Sequence, residues 1–160
     1  MADLSEFPFH LRLFFRAYRW QRVDPVPWAP LEKPLAECRL ALVSTAGLVP
    51  PGQDPFDESV RGGDPSFREI PSDAAVADLR DTHRSEFFDH AGMRRDPNLA
   101  FPLDRVRELE ARRRIGSVAR RHVSVMGSLT AVGRFRRDTL PEVARRLVAD
   151  GVDVALLVPV

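Results

Sequence analysis

Along residues 7–20, Leu11, Phe14, Phe15 and Tyr18 recur at helical spacing, while Arg12, Arg16 and Arg19 fall on the opposite side. This pattern predicts an amphipathic helix. A basic, aromatic helix of this kind can lie on a membrane surface, but docking on its own domain or on a second subunit is the commoner use. Pro25, Pro27, Pro30 and Pro34 follow, so the chain becomes an extended strap that cannot continue the helix and that carries Trp28. Residues 40–43 form a short, nearly continuous apolar run, the pattern of a strand covered on both faces, and Ser44-Thr45-Ala46-Gly47 supplies the turn after it.

Residues 50–98 are polar and rich in Pro, Gly and Asp, which predicts a long loop region with helical turns at 74–79 and 85–90. Regular structure resumes at Pro102, where Leu103, Val106 and Leu109 mark one face of a helix reaching about Arg113. The stretch 118–126 mixes helical and alternating patterns and reads as a helix followed by a strand. Thr139-Leu140-Pro141-Glu142 has the form of a capping box with a first-turn proline, Gly151 ends the helix that follows, and 152–158 is apolar enough for a buried strand. Helices alternating with buried strands predict an α/β fold, a layered domain with a parallel sheet and helices on its faces. The expected organisation is one domain over residues 1–160: helix and strap over 1–37, then an α/β core over 38–160 interrupted by the 50–98 loops.

Composition narrows the chemistry. The chain has 160 residues and a formal charge of +1, so net charge gives no reason to expect nucleic acid or a membrane as partner. No apolar run approaches the roughly 20 residues needed to cross a bilayer, and nothing at the start reads as an export signal. A cytoplasmic protein is the expectation. Residues 103–146 hold twelve arginines against five acidic residues, and the remainder holds twelve basic residues against eighteen acidic ones. Each part is a potential electrostatic partner for the other. The arginine clusters at 112–114, 120–121 and 134–137 suit acidic substrates or a solvated face, and no nucleic-acid motif accompanies them.

His83 and His90, with Asp81, Glu86 and Asp89 nearby, are conceivable metal ligands, but their spacing matches no strong zinc motif and no metal is predicted. Cys38 is the only cysteine. At the entrance to a strand it reads as a small buried hydrophobe, and one thiol excludes a two-thiol redox cycle within these residues. Glycine-rich nucleotide motifs are absent and Gly127-Ser128 lacks the frame of a nucleophile elbow, which removes kinase and hydrolase readings.

Several stretches, taken in order, resemble the glycine/betaine/sarcosine/D-proline reductase selenoprotein B family. They are Tyr18-Arg19-Trp20, Trp28 with Lys33-Pro34-Leu35, Leu40-Ala41-Leu42-Val43-Ser44 with Gly47, Gly63-Asp64-Pro65-Ser66-Phe67-Arg68-Glu69-Ile70-Pro71, Asp96-Pro97-Asn98 with Phe101-Pro102-Leu103-Asp104-Arg105, Ile115-Gly116, Ser124 through Met126-Gly127, and Gly151-Val152-Asp153 leading to Leu156-Leu157-Val158-Pro159-Val160. The resemblance implies a reductase in which a selenol or thiol attacks a small amino-acid-like substrate and a dithiol, thioredoxin-like or other, supplies the electrons. It implies no organic cofactor. In such relatives the redox pair, selenocysteine or cysteine and then a second cysteine, follows a strand like 156–160. The catalytic group is therefore expected immediately after Val160, with the sheet incomplete at its C-terminal side and these 160 residues inactive alone. An in-frame UGA read as a stop would explain the boundary.

In a parallel sheet the reactive groups collect where strands end. The candidate substrate-binding residues are accordingly Ser44, Thr45 and Gly47 after the first strand, Asp64, Ser66 and Arg68 in the central loop, and Ser124 and Gly127 after the later strand. Arg68 is the candidate contact for a substrate carboxylate. The competing reading is a non-catalytic binding or assembly subunit that uses residues 7–20 and the arginine-rich part as contact surfaces, as a homo-oligomer or with a partner subunit.

Overall fold

The computed structural model describes residues 4–18, 22–85 and 88–160. Arg19, Trp20 and Glu86 lie outside the described residues, so the Tyr18-Arg19-Trp20 stretch is described only at Tyr18. The chain divides into two compact units, Met1–Pro30 and Leu31–Val160.

In the first unit the predicted helix is shorter than its pattern. Helix α1 spans Phe9–Ala17 and buries no residue. Its rings pack on one another, with Phe7–Phe15 and Phe14–Phe15 centroids each 5.5 Å apart. Phe9 is 73% exposed and Trp28 87% exposed, so large apolar surface in this unit faces outward.

The second unit is the expected α/β domain. Its strands are β1 (Arg39–Ser44), β2 (Leu48–Val49), β3 (Phe67–Pro71), β4 (Arg80–Asp81), β5 (Ser117–Val118), β6 (Arg121–Val125) and β7 (Val154–Val158). Strand β1 is central. It pairs in parallel with β7, and also with β5 at its start and β6 at its end. Strand β3 adds to β6 antiparallel, and β2 with β4 makes a separate antiparallel pair. The remaining helices are α2 (His90–Arg95), α3 (Leu103–Ala111) and α4 (Leu140–Ala149).

Alternation along β1 explains the layering, because successive side chains point to opposite faces. Leu40 and Leu42 join one core with Ile70, Met93, Phe101, Leu103, Val106 and Ile115. Ala41 joins the other with Val123, Val125, Val143 and Leu147. Helices α2 and α3 thus cover one face of the sheet and α4 the other. Each fully buried Leu or Ile contributes about 1.5–3 kcal/mol.

Four expectations need correction. Residues 118–126 contain no helix: β5 and β6 are two pieces of one strand line, interrupted at Ala119 and Arg120. The break is filled by a side chain, since Leu42 N–H donates to His122 Nδ1 at 3.0 Å where a backbone carbonyl would otherwise accept. The 50–98 region holds β3, β4 and α2, with α2 starting at His90 under an Asp89 cap, Gly92 N–H donating to Asp89; the turn expected at 85–90 includes residues 86 and 87, which lie outside the described residues, and across it Phe88 N–H donates to Ser85 O at 3.1 Å. The capping box does not form, because a π-helical segment, Phe135–Thr139, runs straight into α4 and the Thr139 hydroxyl donates to Pro65 O at 2.5 Å. Glu142 instead receives Arg145 and Arg146. Finally, β7 is not buried. It occupies a sheet edge among the described residues, with Leu156 42% and Leu157 67% exposed.

Opposite charges from the two parts of the sequence meet at the amino-terminal end of β6. Asp150, whose side chain is fully buried, accepts from Arg120 and Arg121, and Glu69 accepts from Arg121 at 2.9 Å and Arg146 at 2.8 Å. The Arg121 bond, with Arg120 behind it, pulls the Asp150 carboxyl down to about 2 against the opposing effect of burial. These arginines are committed to the fold.

Candidate functional site at the carboxyl ends of the parallel strands

Strands β1, β6 and β7 all point the same way, so their ends converge, and Thr45 ties them together. Its N–H donates to Val158 O at 3.1 Å and its carbonyl accepts from Gly127 N–H at 2.8 Å. Its hydroxyl oxygen accepts from Val160 N–H at 2.9 Å. Gly47 N–H donates to Val125 O at 3.0 Å. Glycine is required twice here. Gly47 has φ +62°, and a Cβ on it would lie 3.2 Å from the His83 backbone, while a Cβ on Gly127 would lie 2.7 Å from Thr45 O.

Ser44 and Ser124 are register partners on adjacent strands and share the face that looks toward α2 and α3. Both are fully buried. The Ser44 hydroxyl donates to Ala100 O at 2.7 Å and accepts from Ala46 N–H at 3.1 Å. Among the described residues the Ser124 hydroxyl has no hydrogen-bond partner. An unmet buried hydroxyl costs about 1–3 kcal/mol, so this atom marks a place where a further polar group belongs.

A pocket of about 240 Å³ opens beside these strand ends, lined by Phe88, Asp89, Met93, Leu99, Ala100 and Val160. It is joined to the strand ends twice, through Ala100, which receives the Ser44 hydroxyl, and through Val160, which is held by Thr45. Apart from Asp89 its wall is apolar, which suits the nonpolar part of a small molecule.

Of the eight residues expected at the site, Ser44, Thr45, Gly47, Ser124 and Gly127 come together at these strand ends, beside the pocket. Asp64, Ser66 and Arg68 form a different arrangement. The Arg68 guanidinium donates to Asp54 O, Pro55 O, Ser66 Oγ and Phe67 O, at 2.7 to 3.0 Å, and lies 4.3 Å from the Phe56 ring centroid. Asp64 accepts from Asp57 N–H at 2.9 Å and Ser66 N–H at 2.8 Å. Burial opposes ionisation of Asp64, but those hydrogen bonds outweigh it and keep its pKa below the usual value. Arg68 is thus the hub that folds its own loop, and its donors are directed at its own chain.

The pocket residues Phe88, Met93, Leu99 and Ala100 were not evident from the sequence, because they are scattered through a stretch with no sustained periodicity. The one available sign was Asp89 followed by Gly92, a cap and the position it caps. Cys38 is fully buried at the start of β1, the opposite end from the crevice, with its thiol against Pro34 O at 3.3 Å. No group of three or more metal-ligating side chains occurs among the described residues. No described helix is long and apolar enough to cross a membrane.

The architecture defines an α/β domain with an apolar pocket beside the carboxyl ends of its parallel strands. More particularly, residues 10–159 match the family profile of glycine/sarcosine/betaine reductase selenoprotein B, and the chain belongs to that family. It is 35% identical over 136 residues to the D-proline reductase subunit gamma of Acetoanaerobium sticklandii, covering 84% of this chain and 54% of the relative. It is 31% identical over 137 residues to the sarcosine reductase complex component B subunit beta of Peptoclostridium acidaminophilum, covering 84% and 30%. The glycine reductase complex component B subunit gamma of Carboxydothermus hydrogenoformans is likewise 31% identical over 137 residues, covering 84% and 31%. The match spans about half the length of the first relative and under a third of the other two. No solved structure is significantly similar.

Proposed function

We propose that this chain is the substrate-cradling part of a reductase-complex subunit that cleaves a small amino-acid-like substrate reductively. A selenol or thiol serves as nucleophile and a thioredoxin-like or other dithiol as electron source. Three relatives named as reductase subunits support the class of reaction. The observation that carries the reading is the buried Ser124 hydroxyl, without a partner among the described residues, beside Ser44 at the strand ends. In this reading Ser124 contacts the substrate, Ser44 and Thr45 hold Ala100 and Val160 in the pocket wall, and Gly47 and Gly127 let the strand ends close up. The Asp64, Ser66 and Arg68 loop is a wall rather than a carboxylate clamp. The reactive selenium or sulfur comes from outside these residues, because Cys38 sits at the wrong end of β1.

Assembly is part of the same proposal. Helix α1 presents Phe9, Leu13 and Phe14 to the outside, which favours residues 7–20 as the surface that meets a partner subunit or a second copy.

The test is dithiol-dependent substrate consumption by the complete subunit in its assembled complex, with Ser124→Ala. Loss of one substrate hydrogen bond predicts a fall of about tenfold in kcat/KM, carried mainly by KM. Unchanged kinetics in a folded variant would leave only the assembly role.

A further inference from the structure

Helix α2 forms one wall of the apolar pocket through Met93, with Phe88 and Asp89 just before it. What fixes α2 in place is its first residue. His90 Nδ1 lies 2.5 Å from Asp81 Oδ2 on β4, and His90 Nε2 lies 3.0 Å from Ser85 O. Both partners are acceptors only, a carboxylate and a carbonyl. A neutral imidazole donates from one nitrogen, so both contacts are hydrogen bonds only when the ring carries two protons.

The charges around the ring agree. From β4, Asp81 offers the negative charge, and its other oxygen, Oδ1, accepts from His83 N–H at 3.1 Å. From α2, Arg94 Nη1 is 3.9 Å from Asp81 Oδ2, the oxygen that meets His90, and is 67% exposed, a weak competitor. The neighbouring ring, His83, is buried, and its Nδ1 accepts from Ser85 N–H at 3.2 Å, which fixes it as the neutral tautomer with its proton on Nε2. Phe88 packs against both histidines, 4.8 Å from His83 and 4.9 Å from His90, whose own ring centroids lie 6.4 Å apart. Arg84, also in this loop, turns away and donates to Ser128 O.

We propose that His90 is a proton-operated clasp: as an imidazolium it ties α2 to β4 and to Ser85, and on losing its proton it releases one of the two ties and loosens the pocket wall. The Asp81 bond raises the pKa of His90, burial opposing, whereas burial lowers that of His83. The pKa values of the two adjacent rings are therefore displaced in opposite directions. Because the folded-state value is raised, the clasp is complete below the ordinary histidine pKa and is lost as pH rises through the raised value. Its consequence for substrate rests on the crevice being the binding site, but the clasp itself does not.

Hydrogen–deuterium exchange of the full chain, corrected for intrinsic rates, tests the clasp without any substrate, so its failure is distinguishable from failure of the reductase reading. Between pH 6 and pH 8.5, protection of the His90–Arg95 amides falls about tenfold, the worth of one charge-assisted hydrogen bond, while α3 and α4 keep theirs. His90→Gln shows low α2 protection at every pH, and so does Asp81→Asn. Nitrogen-15 shifts of the wild-type ring, which need no variant to fold, show both nitrogens protonated at pH 6. Flat α2 protection across the range, or a neutral His90 ring at pH 6, overturns the proposal.

Discussion

Acidification strikes this fold first at His122. The ring is fully buried in the sheet, and its Nδ1 accepts the Leu42 N–H that the interrupted β5–β6 line leaves without a carbonyl. A second proton would have to go on Nδ1, turning that bond into two donors face to face. Burial, and to a smaller extent the Arg107 charge, lower its pKa from 6.5 to about 4. The sign follows from the depressed value: the contribution is full above the unfolded pKa of 6.5 and is lost as pH falls toward the folded one. Worked through the linkage relation, the loss is about 2 kcal/mol between pH 7 and pH 5 and about 3 kcal/mol by pH 4. Urea unfolding at pH 7, 6 and 5 measures it, with His122→Asn as the reference, since that variant lacks the titrating ring. The wild-type stability should fall about 2 kcal/mol further than that of the variant. Subtraction also removes His90, whose raised pKa acts in the opposite direction. Parallel curves for the two proteins, or an NMR titration placing His122 near 6.5, would refute the reasoning.

Four further substitutions probe single positions. Ser124→Ala removes an unmet buried hydroxyl and is expected to raise the stability of the chain by up to about 1 kcal/mol in chemical denaturation, even as it lowers activity in the complex. Gly127→Ala pushes a methyl against Thr45 O, 2.7 Å from the Cβ position, and should cost about 2 kcal/mol or more. By contrast, Gly133→Ala, with nothing within 4 Å and helical backbone, should add about 0.5–1 kcal/mol; thermal unfolding separates the pair. Leu157→Lys on the exposed edge strand should leave stability within about 0.5 kcal/mol and reduce self-association of the chain in light scattering, as edge lysines do.

Much of the fold was legible where periodicity and punctuation agreed. Leu40, Leu42 and their neighbours announced β1, Leu103 with Val106 announced α3, and the first-turn Pro141 with Gly151 announced α4. The failures share a physical cause, in that a long-range partner decided a locally ambiguous stretch. Residues 118–126 became strand because His122 completes the ladder of β1, a contact across 80 residues of sequence. Thr139 left its capping role for Pro65 O, 74 residues away. Strand β3 was hidden in a polar stretch because its Glu69 is neutralised by Arg121 and Arg146, far along the chain. At the site, the strand-end residues were readable because a turn of small residues after an apolar run has one usual place in an α/β sheet. The pocket wall was not, since Phe88, Met93, Leu99 and Ala100 follow no period. Arg68 looked free to meet a substrate, and only the loop carbonyls gathered round it show otherwise.

The most direct measurement is the structure of the assembled complex with substrate bound. The account predicts the substrate at the carboxyl ends of β1, β6 and β7, within hydrogen-bonding reach of Ser124 and against Ala100 and Val160, with the reactive selenium or sulfur approaching from outside these residues. Substrate found instead at the other end of the sheet, in the cleft lined by Gln53, Glu69, Arg120 and Arg121, would contradict it.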